Sequence, residues 1–152
     1  MNNGKAFLKP NPIFWLLAVS AIVRLTSLYL TPMINSDSCR YINSAHQILS
    51  GNFSLGLSYA GSLPIYPWML VAAHLLIPDW VLVGQLISAL CLILAVIPLY
   101  LLTRDLFDEN AALWSSLAFI LSPELNLYAG EILREPPFAL AFLWAAYFVR
   151  KV

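Results

Sequence analysis

Charge is scarce in this chain. Only 11% of its 152 residues are Asp, Glu, Lys or Arg, and the eight cations balance the eight anions. Soluble domains carry about 25% charged residues, so this composition excludes an ordinary water-facing surface. It also excludes a basic patch for nucleic acid and an acidic disordered tail. Glycine is sparse, with six residues, and no Gly-rich phosphate loop occurs. The two cysteines, Cys39 and Cys91, fall at different expected depths. No disulfide is expected, and the redox compartment stays unread. The two histidines, His46 and His74, are too scattered among the cysteines to suggest a zinc site. No Ser/His/Asp arrangement is visible.

What is abundant is hydrophobic sequence, 61% of the chain. Its arrangement predicts an all-α, polytopic membrane protein with about four spans. The first is Ile13–Leu30, just long enough for ~30 Å of hydrocarbon. It lacks a small-x-small cleavage site and reads as an uncleaved helix. The second, Trp80–Leu102, has no charge. "RDLFDEN" then forms a polar turn in which Asp108 or Asn110 can cap the next helix. The third and fourth spans fall at about 110–127 and 132–149, the third only if the helix tolerates Pro123 and Glu124. Leu63–Ile77 is too short to cross comfortably. If it stays on one side, Lys5, Lys9, Arg104, Arg150 and Lys151 share a face, with Arg40 and Arg134 opposite. The positive-inside rule favours that arrangement. Both termini are then cytoplasmic and residues 31–79 form a long external segment.

Within that segment, "SCRYINSAHQILS" places Tyr41, Ala45, Ile48 and Leu49 on one helical face. Arg40, Asn43, Ser44 and Gln47 fall on the other, and Gly51 supplies a stop. This predicts an amphipathic helix lying at the membrane surface. Ser36 and Asp37 stand at its start. Asp37 has two readings: a helix cap, or an acid with chemistry at the membrane exit. "GNFSLGLSYAGS" reads as a loose loop. Pro64 and Pro67 bracket Tyr66 at the start of a short helix or rigid turn.

Arg24 lies inside the first span, at a cost of at least ~2.5–3.5 kcal/mol on insertion scales. It either snorkels outward or faces inward toward an acid or an anionic ligand. A second polar cluster, "SPELNLYAGEILREPPFAL", holds Glu124, Glu131, Arg134 and Glu135. Glu131 and Arg134 have the spacing of an intrahelical pair, and Pro136-Pro137 offer an alternative start for the last helix. Acids suit deprotonation of an acceptor and arginines suit an anionic phosphate.

The order of these features resembles a known family. Arg24 in the first span precedes Asp37, Tyr41 and Ala45. Pro64, Tyr66 and Pro67 follow, then "PLYLLTRDLF", "LSPE" and "AGEILRE". The chain is similar over nearly its whole length to the N-terminal part of GT-C class membrane glycosyltransferases. The closest are the family 39-like enzymes, which include protein O-mannosyltransferases and aminoarabinose transferases. The resemblance implies transfer of a sugar from a polyprenyl-phosphate donor to an acceptor hydroxyl on the external face. It makes Asp37 the catalytic base and Glu135 a second site acid. Arg24, Arg40, Tyr41, Tyr66 and Arg134 become substrate-binding candidates. The implied partners are the bilayer, the lipid-linked sugar and an acceptor lipid, glycan or protein. No protein-bound cofactor is implied, and a divalent metal is left undecided. Such enzymes are longer, so residues 1–152 are expected to be one transmembrane region of a larger domain. The rival readings are a non-enzymatic membrane protein, as remnant or assembly partner, and a small transporter subunit.

Overall fold

The computed structural model describes residues 11–31, 33–60 and 65–152. Lys5, Lys9, Leu63 and Pro64, used in the sequence reading, lie outside the described residues. All regular structure among the described residues is helical: α1 Pro12–Leu30, α2 Ser36–Leu49, α3 Phe53–Ala60, α4 Ile65–His74, α5 Trp80–Leu106, α6 Glu109–Leu121, α7 Pro123–Ala129 and α8 Glu135–Lys151.

Among the described residues, two helices, α1 and α5, are long and apolar enough to cross a membrane. α5 has 27 residues, about 40 Å at about 1.5 Å per residue. It is the axis on which the others pack. Gly84, Ser88, Ala89 and Ala95 are small and buried, which lets neighbouring helices approach closely. α1 turns Leu16, Ser20 and Arg24 inward at i, i+4 spacing. Leu16 joins Val96 and Tyr100 of α5 and Ala112 and Ile120 of α6 in one core. A second core unites Tyr41, Ala45 and Ile48 of α2 with Tyr66, Leu70 and Val71 of α4, Val83 of α5, and Ile132.

Several boundaries differ from expectation. α5 continues through Arg104 and Asp105 to Leu106, so "RDL" belongs to its last helical turn and not to a loop. Asp108 does cap α6, its Oδ1 accepting the Ala111 N–H at 2.7 Å. The stretch expected as one helix over 110–127 is two. Pro123 supplies no N–H, and Ser122 takes an extended backbone (ψ 118°) that ends α6. α8 begins at Glu135 and not near Ile132, with Pro136 and Pro137 in its first turn. The stretch read as a loose loop contains α3, which packs on α2. Gly56 makes that packing possible: an added Cβ would lie 2.7 Å from Ile48 Cγ1.

α5 and α8 run in the same direction. Ile132, just before α8, lies against Gly84 near the start of α5. Lys151 Nζ at the end of α8 pairs with Asp105 Oδ2 at 2.8 Å near the end of α5. Arg104, Asp105 and Lys151 thus mark one end of the bundle. α2, α4 and the 130–134 loop occupy the other.

Candidate functional site

α2 brings Asp37 into place. Its N-cap is Asn35, not Ser36 or Asp37 as the sequence suggested. Asn35 Oδ1 accepts the Ser38 N–H at 2.8 Å, and Ser38 Oγ accepts the Asn35 N–H at 3.4 Å. This reciprocal cap satisfies donors that a helix start would leave open. Asp37 is therefore released from capping. Its side chain is 51% exposed, and its Oδ1 lies 3.4 Å from Arg40 Nη1. The expected faces of α2 also shift. Ser44 is buried, its hydroxyl donating to Gly56 O, while Leu49 is exposed. Gly51 takes φ +85°, the left-handed conformation of a glycine stop.

The second acid arrives on the loop between α7 and α8. Residues 130–134 are not helical, so the expected Glu131–Arg134 intrahelical pair does not form. Arg134 Nε instead lies 3.8 Å from Glu135 Oε1. Glu131 accepts a hydrogen bond from Asn35 Nδ2 at 2.9 Å. Ile132 and Leu133 in this loop are buried, and Gln85 Nε2 donates to Gly130 O at 2.9 Å.

Both acid–arginine pairs act electrostatically on the Tyr41 hydroxyl. Burial pushes the Tyr41 hydroxyl up from its ordinary pKa. Arg134 and Arg40 oppose that rise, while Glu135 and Asp37 add to it. Tyr41 packs edge-on against Tyr66, ring centroids 5.0 Å apart. Tyr66 is buried, and burial holds its hydroxyl well above the usual phenol range. That hydroxyl has no hydrogen-bond partner of ordinary geometry, although Ser88 on α5 is close to it.

Beside these groups lies a cavity of about 930 Å³ between α4, α5 and α8. Ile65, Tyr66, Met69 and Cys91 form one wall, and Phe138 and Trp144 contribute to the other. Arg134 and Glu135 line it at the start of α8. A slot with apolar walls and one arginine–carboxylate end suits a ligand with an apolar tail and an anionic head. Among the described residues, no group of three or more His, Cys, Asp or Glu is placed to hold a metal ion.

Arg24 stands apart from this cavity. It is 0% exposed, so it faces inward and does not snorkel. Its Nη1 donates to Asn126 Oδ1, its Nη2 to Phe119 O at 3.0 Å, and its guanidinium lies 5.5 Å from the Phe119 ring centre. Phe119 is among the last residues of α6, whose carbonyls lack intrahelical partners and carry partial negative charge. Arg24 thus closes the end of α6 and ties it to α7.

Asn35, Gln85, Ser88 and Asn126 were not singled out from sequence. Asn35 with Ser38 three residues on is a legible capping pattern, and Gln85 is an amide inside an apolar run. Asn126 carried no such signal.

A family model described as dolichyl-phosphate-mannose-protein mannosyltransferase matches residues 62–152, more than half of the chain. The match takes in Tyr66, Arg134 and Glu135 and stops short of Arg24, Asp37, Arg40 and Tyr41. No curated protein and no solved structure matches the chain significantly. A helical architecture with two apolar helices of spanning length accords with that match, and the chain belongs to the dolichyl-phosphate-mannose-protein mannosyltransferase family of GT-C membrane glycosyltransferases.

Proposed function

We propose that the chain transfers a sugar, mannose by the family's description, from a polyprenyl phosphate to an acceptor hydroxyl at the external membrane face. The reading is carried by one observation: the start of α2, with its exposed Asp37–Arg40 pair, is hydrogen-bonded to the loop whose Arg134–Glu135 pair lines an apolar cavity.

In this reading α1, α5, α6 with α7, and α8 cross the membrane as one transmembrane region. Both termini are cytoplasmic and residues 31–79 are external. The ten residues of α4 span about 15 Å, half the ~30 Å of hydrocarbon, which favours an α4 that stays on one side. The donor's prenyl tail occupies the cavity, and its phosphate faces Arg134. Arg40 is the second cation within reach of the same ground, and Tyr41 and Tyr66 line the approach. Arg24 supports the site from within by fixing α6 and α7.

The acceptor O–H gives its proton to the Asp37 carboxylate. Its oxygen forms a bond to the anomeric carbon, the bond from that carbon to the phosphate oxygen breaks, and the phosphate leaves with the electron pair. Glu135 holds Arg134 toward the departing anion. The acceptor is a lipid, glycan or protein hydroxyl.

Asp37→Asn tests the reading. The amide keeps the size and removes the base, and loss of a positioned base lowers rates by about 10²–10⁴-fold. Transfer from polyprenyl-phosphate mannose should fall by that factor with normal membrane insertion. Unchanged transfer removes Asp37 from the chemistry. Substrate flux into vesicles without any sugar donor would favour a transporter subunit instead.

A further inference from the structure

The segments that carry Asp37 and Glu135 are joined by polar contacts that the proposed chemistry does not itself use. The Met33 N–H donates to Gly130 O at 3.1 Å, Asn35 Nδ2 to Glu131 Oε2 at 2.9 Å, and Ser38 Oγ to Ile132 O at 3.4 Å. Successive donors at the start of α2 meet successive acceptors along the 130–132 loop. From the other side Gln85 pins the same loop through Gly130 O.

Asn35 is the centre of this seam, and both arms of its amide are engaged. Its Oδ1 caps α2 through the Ser38 N–H, and its Nδ2 reaches Glu131. Capping alone needs only an oxygen, which Ser, Thr or Asp would supply equally well. Among those side chains the asparagine amide offers an acceptor on one arm and an N–H donor on the other. Here both arms are used, one on the helix and one on Glu131. Asp37 follows two residues after Asn35, in the first turn of α2, and Glu135 follows four after Glu131, in the first turn of α8. The Asn35–Glu131 bond therefore lies at the base of both turns.

We propose that Asn35 and Glu131 are a positioning pair that sets the separation between the Asp37–Arg40 turn and the Arg134–Glu135 turn. Its consequence for rate rests on the transfer reading above, whereas its geometric content does not. Neither residue reaches the reacting atoms. They act by holding the groups that do.

The test reads geometry first. Nitroxides are placed on Cys39, which is exposed on α2, and on a Phe142→Cys site, exposed in α8 and outside the cavity lining, in a Cys91→Ala background. The full chain is reconstituted in lipid nanodiscs and the label separation is measured by pulsed dipolar spectroscopy. Asn35→Ser keeps a cap and loses the reach to Glu131. Glu131→Ala leaves the cap untouched, and Glu131→Gln keeps an acceptor oxygen without charge. The parent and Glu131→Gln should each give one narrow distribution. Asn35→Ser and Glu131→Ala should broaden or displace it while helix content by circular dichroism is unchanged. Parent-like distributions in both disrupted variants overturn the proposal. So does Glu131→Gln behaving like Glu131→Ala, since the bond would then not be the operative feature.

Transfer kinetics supply the second readout. Misplacement of a reacting group by about 1 Å can cost about 10²-fold in rate. Asn35→Ser and Glu131→Ala should lower kcat at least about tenfold with donor KM within about twofold, and Glu131→Gln should restore it. An equal fall in kcat for Glu131→Gln, or a rise in KM alone, overturns the positioning role. Unchanged transfer in Asp37→Asn overturns only the catalytic reading, and the distance data then still decide the pair.

Discussion

Gly84 allows a quantitative check on how the 130–134 loop is seated. A Cβ added at Gly84 would lie 2.5 Å from Ile132 Cγ2, 2.8 Å from its Cγ1 and 3.1 Å from its Cβ. Carbon atoms in comfortable contact stand about 3.5–4.0 Å apart, so the shortfall is about 1 Å at the closest atom. Ile132 is fully buried, and its loop is held by Gln85 and Asn35, so it has no easy retreat. Overpacking of this kind costs about 1–3 kcal/mol. Replacing a helical glycine by alanine returns about 0.5–1 kcal/mol of helix propensity. Gly84→Ala should therefore destabilise the fold by about 1–2 kcal/mol. Ile132→Ala should cost about 2–5 kcal/mol through its cavity. The double variant removes the two closest of these atoms, Cγ2 and Cγ1, and should recover about 1–2 kcal/mol relative to the sum of the singles. Reversible unfolding in mixed detergent micelles, followed by circular dichroism, measures all four corners of the cycle. Additivity within about 0.5 kcal/mol, or a Gly84→Ala protein more stable than its parent, would refute this packing of the loop on α5.

Three further outcomes follow from the geometry. Arg24→Lys keeps the charge but cannot reach Asn126 and Phe119 O together, and hydrogen bonds to charged groups are each worth about 1.5–3 kcal/mol. Unfolding should become easier by about that amount, and a change below about 0.5 kcal/mol would show that the two-armed grip is not needed. Tyr66→Phe deletes a buried hydroxyl without a partner, so stability should hold or rise by up to about 1 kcal/mol. If the hydroxyl meets the donor, KM for the donor rises about tenfold; a destabilised protein with normal KM would contradict both parts. Asp105 is held below its ordinary 3.8, first by the hydrogen bond from Lys151. A depressed carboxyl pKa stabilises above the unfolded value and loses that contribution as pH falls through the folded value. The difference in melting temperature between the parent and Asp105→Asn should be constant from pH 8 to about 5 and shrink below about 4. A difference that grows on acidification would reverse the assignment.

Much of the bundle was legible because its signals are long and periodic. The uncharged run from Trp80 and the Asp108 cap announced α5 and the start of α6, and Gly51 announced the end of α2. The errors lie where local signals compete. Asp37 is a good capping residue, yet Asn35 takes the cap, and its amide also serves Glu131, a contact 96 positions away in the chain. Ser44 reads as surface polar, but the close approach of Gly56 buries it and gives its hydroxyl a carbonyl. "FSLGLSY" looks loose because α3 is stabilised by packing on α2 rather than by its own propensity. As to the site, acids and arginines on two segments were readable as composition. How the two segments are joined was not, since it depends on a loop that is irregular where spacing suggested helix.

Arg24 has a consequence for the order in which the chain is made. Its partners Phe119 and Asn126 lie 95 and 102 residues downstream. At about 5–20 residues per second of synthesis, α1 emerges roughly 5–20 s before anything exists to receive its cation. During that interval the guanidinium stands in an apolar segment with neither of its folded-state contacts. The first helix is therefore completed by the third hydrophobic segment, and the gap between α6 and α7 is closed by a residue synthesised long before either. Insertion and folding are not separable stages for this arginine, because the contacts that offset its burial exist only once the bundle does.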